Sequence, residues 1–137
     1  MSDLDRFVAA QAATWPTALA ELQRGRKESH WMWFVFPQLA ALGRSATAKH
    51  YGITGLAEAR AYLAHPVLGP RLAEAAGAVL AHAGTPPEAI LGQTDAMKLR
   101  SSATLFRAAG GGPEFQALLD SFYGGAACPL TQAELGL

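Results

Sequence analysis

Glycine and proline divide this chain into short segments, and most of these segments carry a helical pattern. The 14 glycines and eight prolines are spread over 137 residues, and apolar residues between them recur at spacings of three and four. Residues 56–63 and 66–81 show the pattern most clearly. We therefore predict an all-α fold, a compact bundle of six or seven short helices with room for one short strand pair. The length of 137 residues predicts a single domain over residues 1–137, and the hydrophobic half of the residues is typical of a globular chain.

Capping residues predict where the helices begin and end. In the first half, a helix from Ser2 or Asp3 to Ala13 is followed by a restart at Thr14-Trp15-Pro16, which Gly25 ends. Residues 39–55 look irregular or briefly helical. In the second half, Thr85-Pro86-Pro87-Glu88 is read as a capping box for a short helix ending near Gly92. The remaining predictions are a helix from Thr94 or Asp95 to Ala109, and a last helix that Pro113 opens and that passes Phe122.

The charge balance and the cysteine count exclude some classes of function. The chain has 11 basic and 11 acidic residues, whereas proteins that grip the nucleic-acid backbone usually carry a basic excess. Broad nucleic-acid binding is therefore not expected. The lone cysteine, Cys128, makes no internal disulfide or zinc cluster. Without a leader pattern or an apolar run of about 20 residues, we expect no membrane association and a cytoplasmic location. The oligomeric state stays open.

The first candidate site lies in the segment Gly25-Arg26-Lys27-Glu28-Ser29-His30-Trp31-Met32-Trp33-Phe34-Val35-Phe36-Pro37. Its aromatic rings could stack on a base, and its cations could hold a phosphate. The ligand-binding candidates are Arg26, Lys27, His30, Trp31 and Trp33. Aromatic residues in such a run are more often core residues, and periodicity does not separate a buried strand from a buried helix here.

The second candidate site is the segment from Asp95 to Phe106. On a helix, Asp95, Lys98 and Ser102 share one face, and such a carboxylate, amine and hydroxyl could polarise a substrate or order a water. Ser101 and Ser102 join the ligand-binding candidates. The alternative is a helix cap with an ordinary ion pair. The four histidines make no known metal spacing, and no phosphate-binding glycine loop occurs, so we expect neither a metal nor a cofactor.

Together these segments resemble the bacterial family known as domain of unknown function family 1810. The likeness covers about residues 3 to 125, which implies a core family domain over that range and a C-terminal tail at 126–137. Some members carry the label calpastatin, but calpain inhibition relies on long disordered repeats, unlike this apolar chain. The matching stretches are Asp5-Arg6-Phe7-Val8-Ala9-Ala10-Gln11, Gly25-Arg26-Lys27, Ser29-His30-Trp31-Met32-Trp33-Phe34, Phe36-Pro37-Gln38, Leu42-Gly43, Tyr51-Gly52-Ile53, Glu58-Ala59, Tyr62-Leu63, His65-Pro66-Val67-Leu68, Gly92, Asp95, Lys98-Leu99-Arg100-Ser101-Ser102 and Thr104-Leu105-Phe106.

A looser likeness, in arrangement only, is to the NAD and ADP-ribose-linked superfamily that includes an N-glycosidase. It implies a nucleotide-like or phosphorylated ligand and hydrolysis of an N-glycosidic bond. Trp31 or Trp33 would stack a ring, and Arg26 or Lys27 would hold phosphate. Asp95 or Glu28 would steer water to an oxocarbenium-like centre. Together with Lys98, the amine of the second segment, they are the catalytic candidates. The alternative is a non-catalytic binding or interaction module, in which the aromatic segment forms core or a dimer surface.

Overall fold

A computed structural model describes residues 3–137, and its secondary structure is helical. The prediction of an all-α fold is confirmed, although residues 3–137 form nine α-helices instead of the expected six or seven. In place of a strand pair, one isolated parallel bridge joins Leu39 and Ile53. No helix in the described part of the chain combines the length and apolar character needed to cross a membrane. The helices are α1 (Asp5–Gln23), α2 (Met32–Val35), α3 (Ala46–His50), α4 (Leu56–Ala64), α5 (Leu68–Leu80), α6 (Pro87–Leu91), α7 (Gln93–Ala108), α8 (Pro113–Tyr123) and α9 (Pro129–Leu135), with one 3₁₀ turn, η1 (Ala40–Leu42).

Helix α1 is continuous where the sequence predicted two helices. Pro16 lies inside it, on an exposed part of the helix. The hydrogen bond that proline cannot donate would have gone to the carbonyl of Ala12, which is also exposed and can face water instead. The predicted break at Thr14-Trp15-Pro16 is therefore wrong. Helix α1 begins at Asp5, with Leu4 as its N-cap, so Asp3 is not the cap, and Ser2 lies outside the described residues.

Gly25 ends α1 as predicted. It adopts a left-handed φ of 77°, and the amide of Arg26 donates to the carbonyl of Glu21 at 3.0 Å, which is the bonding of a Schellman motif. A Cβ at Gly25 would lie 2.9 Å from the His82 ring. Nε2 of His82 lies 3.0 Å from the carbonyl oxygens of both Leu22 and Gln23. The ring therefore fixes the end of α1, and with it the start of the first candidate segment.

Two predicted helix starts and the predicted tail need correction. Helix α6 begins after Pro86 without a side-chain cap, so Thr85 does not form a capping box. Helix α7 follows Gly92, whose φ is 86°, and neither Thr94 nor Asp95 caps it because both lie within its first turn. The tail contains α9, which begins at Pro129, a position where proline is favoured.

The hydrophobic core is built around α5 and α7. Helix α5 contacts α1, α4 and α8, while α7 contacts α4, α6, α8 and α9. Helix α5 buries most of the predicted apolar stripe, and α7 buries Leu99, Ala103, Leu105 and Phe106. Because α7 is enclosed on several sides, only part of its surface remains available for a site.

A closed loop over residues 38–53 packs against this bundle. The amide of Ala40 donates to the carbonyl of Ile53 at 2.8 Å, and the amide of Ile53 donates to the carbonyl of Gln38 at 2.9 Å. Gly52 permits this closure, since a Cβ there would lie 2.3 Å from Cα of Ala40. The loop carries η1 and α3, which were predicted only as irregular or briefly helical structure.

Candidate functional site

Glu21, a residue that the sequence did not single out, organises the first candidate segment. Its Oε1 accepts hydrogen bonds from the amides of Glu28 and Ser29 at 2.8 and 2.9 Å and from Nε1 of Trp31 at 2.9 Å. Its Oε2 accepts from Oγ of Ser29 at 2.6 Å. Burial acts to raise the pKa of Glu21, but these bonds outweigh it and lower the pKa from 4.5 to about 2. A carboxylate near the end of α1 thus holds the segment in place.

An ion-pair chain joins the two candidate segments. Nζ of Lys27 lies 2.9 Å from Oδ2 of Asp95, and Nζ of Lys98 lies 3.5 Å from Oδ1 of the same carboxylate. The Lys27 side chain is only 8% exposed, and its ammonium also donates to the carbonyl of Ser29 at 2.6 Å. The structure therefore brings Lys27, Asp95 and Lys98 together, although the ammonium of Lys27 is already occupied.

The two tryptophans of the first segment have different environments. Trp31 is fully buried, so neither face of its indole is open to a ligand, and Nζ of Lys27 lies 5.0 Å from its ring centroid. Trp33 is half-buried, and Nζ of Lys98 lies 4.9 Å from its ring centroid. Stacking on a ligand therefore depends on Trp33. Phe34 and Phe36 belong to the hydrophobic core, which agrees with the alternative interpretation that the aromatic residues of this segment form core.

Three other candidates of the first segment, Arg26, Glu28 and His30, lie on the surface. Arg26 is 77% exposed and Glu28 is 55% exposed. Glu28 pairs with Arg24 at 3.2 Å and with Arg26 at 3.9 Å. His30 is also exposed. The structure does not place Arg26, Glu28 or His30 with the ion-pair chain, and exposed pairs of this kind contribute little to stability.

The two serines of α7 are both buried. Oγ of Ser101 lies 2.8 Å from Oγ1 of Thr131, which attaches α9 to α7. Oγ of Ser102 has no hydrogen-bond partner among the described residues. Of the two, only Ser101 lines a hollow at the surface. Ser101 thus has a structural partner, whereas Ser102 is an orphaned hydroxyl inside the bundle.

The exposed side of α7 forms one wall of a groove, which we call the α7 groove. At one end, a hollow of about 330 Å³ lies between α7, α2 and the closed loop, and we call it the cationic hollow. A middle hollow of about 330 Å³ leads to a third of about 510 Å³ between α7 and α9, which we call the apolar hollow. Volumes of this size are typical of small-molecule sites. The cationic hollow is lined by Trp33, Gln38, Leu42, Gly43, Arg44, Ser45, Ala48, Thr94 and Lys98.

The cationic hollow combines residues that the sequence identified with others that it did not. Trp33 and Lys98 were predicted, whereas Gln38, Arg44 and Thr94 were not. Arg44 and Gln38 lie in the closed loop, whose position depends on the bridge between Leu39 and Ile53. Since nothing local marks that pairing, the sequence pattern could not place Arg44 beside Lys98. Across residues 3–137, no group of three or more His, Cys, Asp or Glu side chains is arranged to hold a metal ion.

Comparisons with known proteins agree with this fold and extend over nearly the whole chain. A crystal structure of the conserved hypothetical protein Rv1873 from Mycobacterium tuberculosis superimposes with a TM-score of 0.96 at 50% sequence identity, covering 98% of this chain and 97% of that one. No curated protein matches. The family model described as "Protein of unknown function (DUF1810)" matches residues 1–135. The chain therefore belongs to the DUF1810 family of proteins of unknown function.

Proposed function

We propose that this protein binds a phosphorylated, nucleotide-like small molecule in the cationic hollow. The observation that carries the proposal is that Arg44 and Lys98 line the same hollow as the half-buried ring of Trp33. These residues come from three separate elements, so the hollow exists only in the folded chain. The residues that line the hollow match the ligand chemistry expected from the sequence. Arg44 and Lys98 take the phosphate-binding role first assigned to Arg26 and Lys27.

The charge of the hollow favours an anionic group. Asp95 is shared between Lys27 and Lys98, so one carboxylate faces two ammonium groups, and the guanidinium of Arg44 adds another positive charge nearby. Arginine presents a planar set of donors that matches a phosphate, while lysine acts as a point charge. A phosphate between Arg44 and Lys98 would offset this excess of positive charge.

The polar and aromatic groups beside these cations suit a ring with hydrogen-bonding edges. Gln38 and Thr94 line the hollow, and both can donate and accept hydrogen bonds. Nζ of Lys98 lies 4.9 Å from the centroid of the half-buried Trp33 ring, so the cation that would hold the phosphate lies beside the ring that would contact the heterocycle. A heterocyclic ring held against Trp33 would therefore find partners for both its face and its edge.

Calorimetric titration with uridine monophosphate, ADP-ribose and uridine tests this proposal. We expect both phosphorylated ligands to bind, and uridine, which has no phosphate, to bind at least about tenfold more weakly. Arg44→Ala and Lys98→Ala should each weaken the binding of uridine monophosphate by about tenfold, because each removes a charged contact to phosphate. The matched control is Arg60→Ala, which removes an exposed cation of α4 and should change nothing. Equal affinities for uridine and its monophosphate would refute the proposal.

Hydrolysis of an N-glycosidic bond is the second candidate function. The observation that favours it is the carboxylate of Asp95, which directly follows Thr94 of the cationic hollow and contacts Lys98, another lining residue. Asp95 would orient the attacking water, and Lys98 would stabilise the leaving group. Glu28, exposed and paired with Arg24 and Arg26, is the weaker candidate for the same role.

A chromatographic assay for free base distinguishes catalysis from binding. If the protein is a hydrolase, it should release uracil from uridine monophosphate or nicotinamide from NAD, and Asp95→Asn should slow that release by about 100-fold. Glu28→Gln decides between the two carboxylates and should keep the full rate if Asp95 is the catalytic group. Glu74→Gln, exposed on α5, is the matched carboxylate control. If no base is released from either ligand while both still bind, the protein is a binding module and the hydrolase candidate is wrong.

A further inference from the structure

The α7 groove continues past the cationic hollow without a break in its lining. Leu42, Arg44 and Lys98 line both the cationic and the middle hollow. Met97, Cys128 and Leu130 line both the middle and the apolar hollow. On α7, Thr94 and Lys98 line the cationic hollow, whereas Ala96, Met97 and Arg100 line the apolar one. These two sets overlap along the helix axis and differ in their position around it, so the hollows lie side by side around α7, within the reach of one small molecule.

The apolar hollow differs from the cationic one in the chemistry of its walls. Met97 is 71% exposed and Leu130 is 66% exposed, and they belong to the few large hydrophobic residues that face water in the described part of the chain. Both line this hollow. Apolar side chains that meet at a concave surface are a recurring feature of ligand sites.

Of the polar side chains of the apolar hollow, Tyr123 and Arg100 are occupied within the protein, whereas the carboxylate of Glu88 also lines it. The Tyr123 hydroxyl donates to the carbonyl of Ala96. Arg100 donates to the carbonyls of Ala126 and Ala127 at 2.8 and 2.9 Å. What these residues offer a ligand is therefore mainly the flat faces of their side chains, beside Met97 and Leu130.

We propose that the ligand of the α7 groove is an amphiphile, with a phosphate head in the cationic hollow and an apolar tail in the apolar hollow. This inference rests on the proposed function, from which it keeps the phosphate, and it adds an apolar tail to the ligand. The head is recognised by Arg44 and Lys98. The tail is recognised by Met97 and Leu130, which it removes from water. A ligand that is charged at one end and apolar at the other places each end in the hollow of matching chemistry, and it also matches the groove in size.

The test is a calorimetric titration with octyl phosphate below its micelle concentration, compared with inorganic phosphate and with the uncharged octyl glucoside. Octyl phosphate should bind at least about tenfold more tightly than inorganic phosphate, since each buried methylene adds to the affinity. Octyl glucoside should bind at least about tenfold more weakly than octyl phosphate, because it lacks the charged head. Equal binding of the two octyl compounds would overturn the role of Arg44 and Lys98.

Two variants test where the tail lies. Met97→Ser and Leu130→Ser replace largely exposed side chains, so the fold should be retained. Each substitution should weaken the binding of octyl phosphate by about fivefold and leave the binding of inorganic phosphate unchanged. Leu137→Ser is the matched control, because Leu137 is 69% exposed but does not line the groove. Unchanged octyl phosphate affinity in both groove variants would contradict the inference.

The outcomes separate this inference from the proposed function. Suppose that uridine monophosphate binds in an Arg44-dependent manner but octyl phosphate binds no more tightly than inorganic phosphate. The proposal of an apolar tail is then wrong, and the proposed function stands. If no phosphate compound binds, both are wrong. Sedimentation with vesicles of phosphatidic acid and phosphatidylcholine distinguishes the source of the head group. Binding to vesicles without binding to free octyl phosphate would overturn a soluble ligand in favour of a lipid surface.

Discussion

Replacing Glu21 with glutamine is expected to lower the free energy of unfolding at pH 7 by about 3 kcal/mol, which is roughly 10 °C in Tm for a chain of this size. Glutamine has nearly the same shape but no charge, and its amide nitrogen would face groups that themselves donate. These groups are the amides of Glu28 and Ser29, the Ser29 hydroxyl and the Trp31 indole. Because Glu21 is only 2% exposed, water cannot replace the lost acceptor. Urea unfolding at pH 7 measures the change.

The effect of this substitution should fade in acid. Folding lowers the pKa of Glu21 from 4.5 to about 2, so the carboxylate stabilises the folded state above pH 4.5 and loses that contribution as the pH falls toward 2. The difference between the wild-type protein and Glu21→Gln should therefore shrink from about 3 kcal/mol at pH 7 to about 1.5 kcal/mol at pH 3.

Comparing the two proteins at each pH cancels the titration of every other carboxyl group. Glu74→Gln is the matched control because Glu74 is exposed on α5, and it should alter stability little at either pH. A Glu21→Gln penalty that stays constant from pH 7 to pH 3 would show that the charge of Glu21 does not hold the segment.

The second large effect is expected from Gly52→Ala, which should also destabilise the fold by about 3 kcal/mol. The added methyl group would meet Cα and Cβ of Ala40 at 2.3 and 2.5 Å, so the two ends of the closed loop would have to move apart. Gln38 and Arg44 belong to that loop, so the binding of uridine monophosphate should weaken as well. Chemical unfolding gives the stability, and calorimetry gives the affinity.

Gly77→Ala provides the matched control for this substitution. Gly77 lies within α5, and a Cβ at that position would meet nothing within 4 Å. Alanine is the better helix former, so this variant should be more stable than the wild-type protein by about 0.5–1 kcal/mol. If Gly52→Ala behaved like Gly77→Ala, the close approach to Ala40 would not be what requires glycine.

Local patterns predicted those parts of the fold that local interactions determine. Helix α4 and the apolar stripe of α5 follow from periodicity alone. The Schellman bond from Arg26 to Glu21 at the end of α1 joins only neighbouring residues, although the distant His82 also contacts this end. Helix α9 was missed because its position depends on distant contacts, such as Ser101 with Thr131 and the amide of Cys128 with Thr104. Pro129 was its one local signal.

The candidate site also has a part that the sequence indicated and a part that only tertiary packing determines. The sequence drew attention to Lys27, Asp95 and Lys98 because charged residues stand out in apolar segments, but it did not show that all three form one chain. It offered Trp31 and Trp33 as equals. Only tertiary packing makes Trp31 a buried donor to Glu21 and leaves Trp33 beside the groove.

The closed loop over residues 38–53 has a consequence for how tightly a ligand can be held. Its two ends are pinned by the hydrogen bonds of Ala40 and Ile53, so the backbone that carries Arg44 has already lost its conformational entropy when the chain folds. Binding then has to immobilise only the Arg44 side chain rather than the whole loop, and preorganisation of this kind increases affinity without adding a contact.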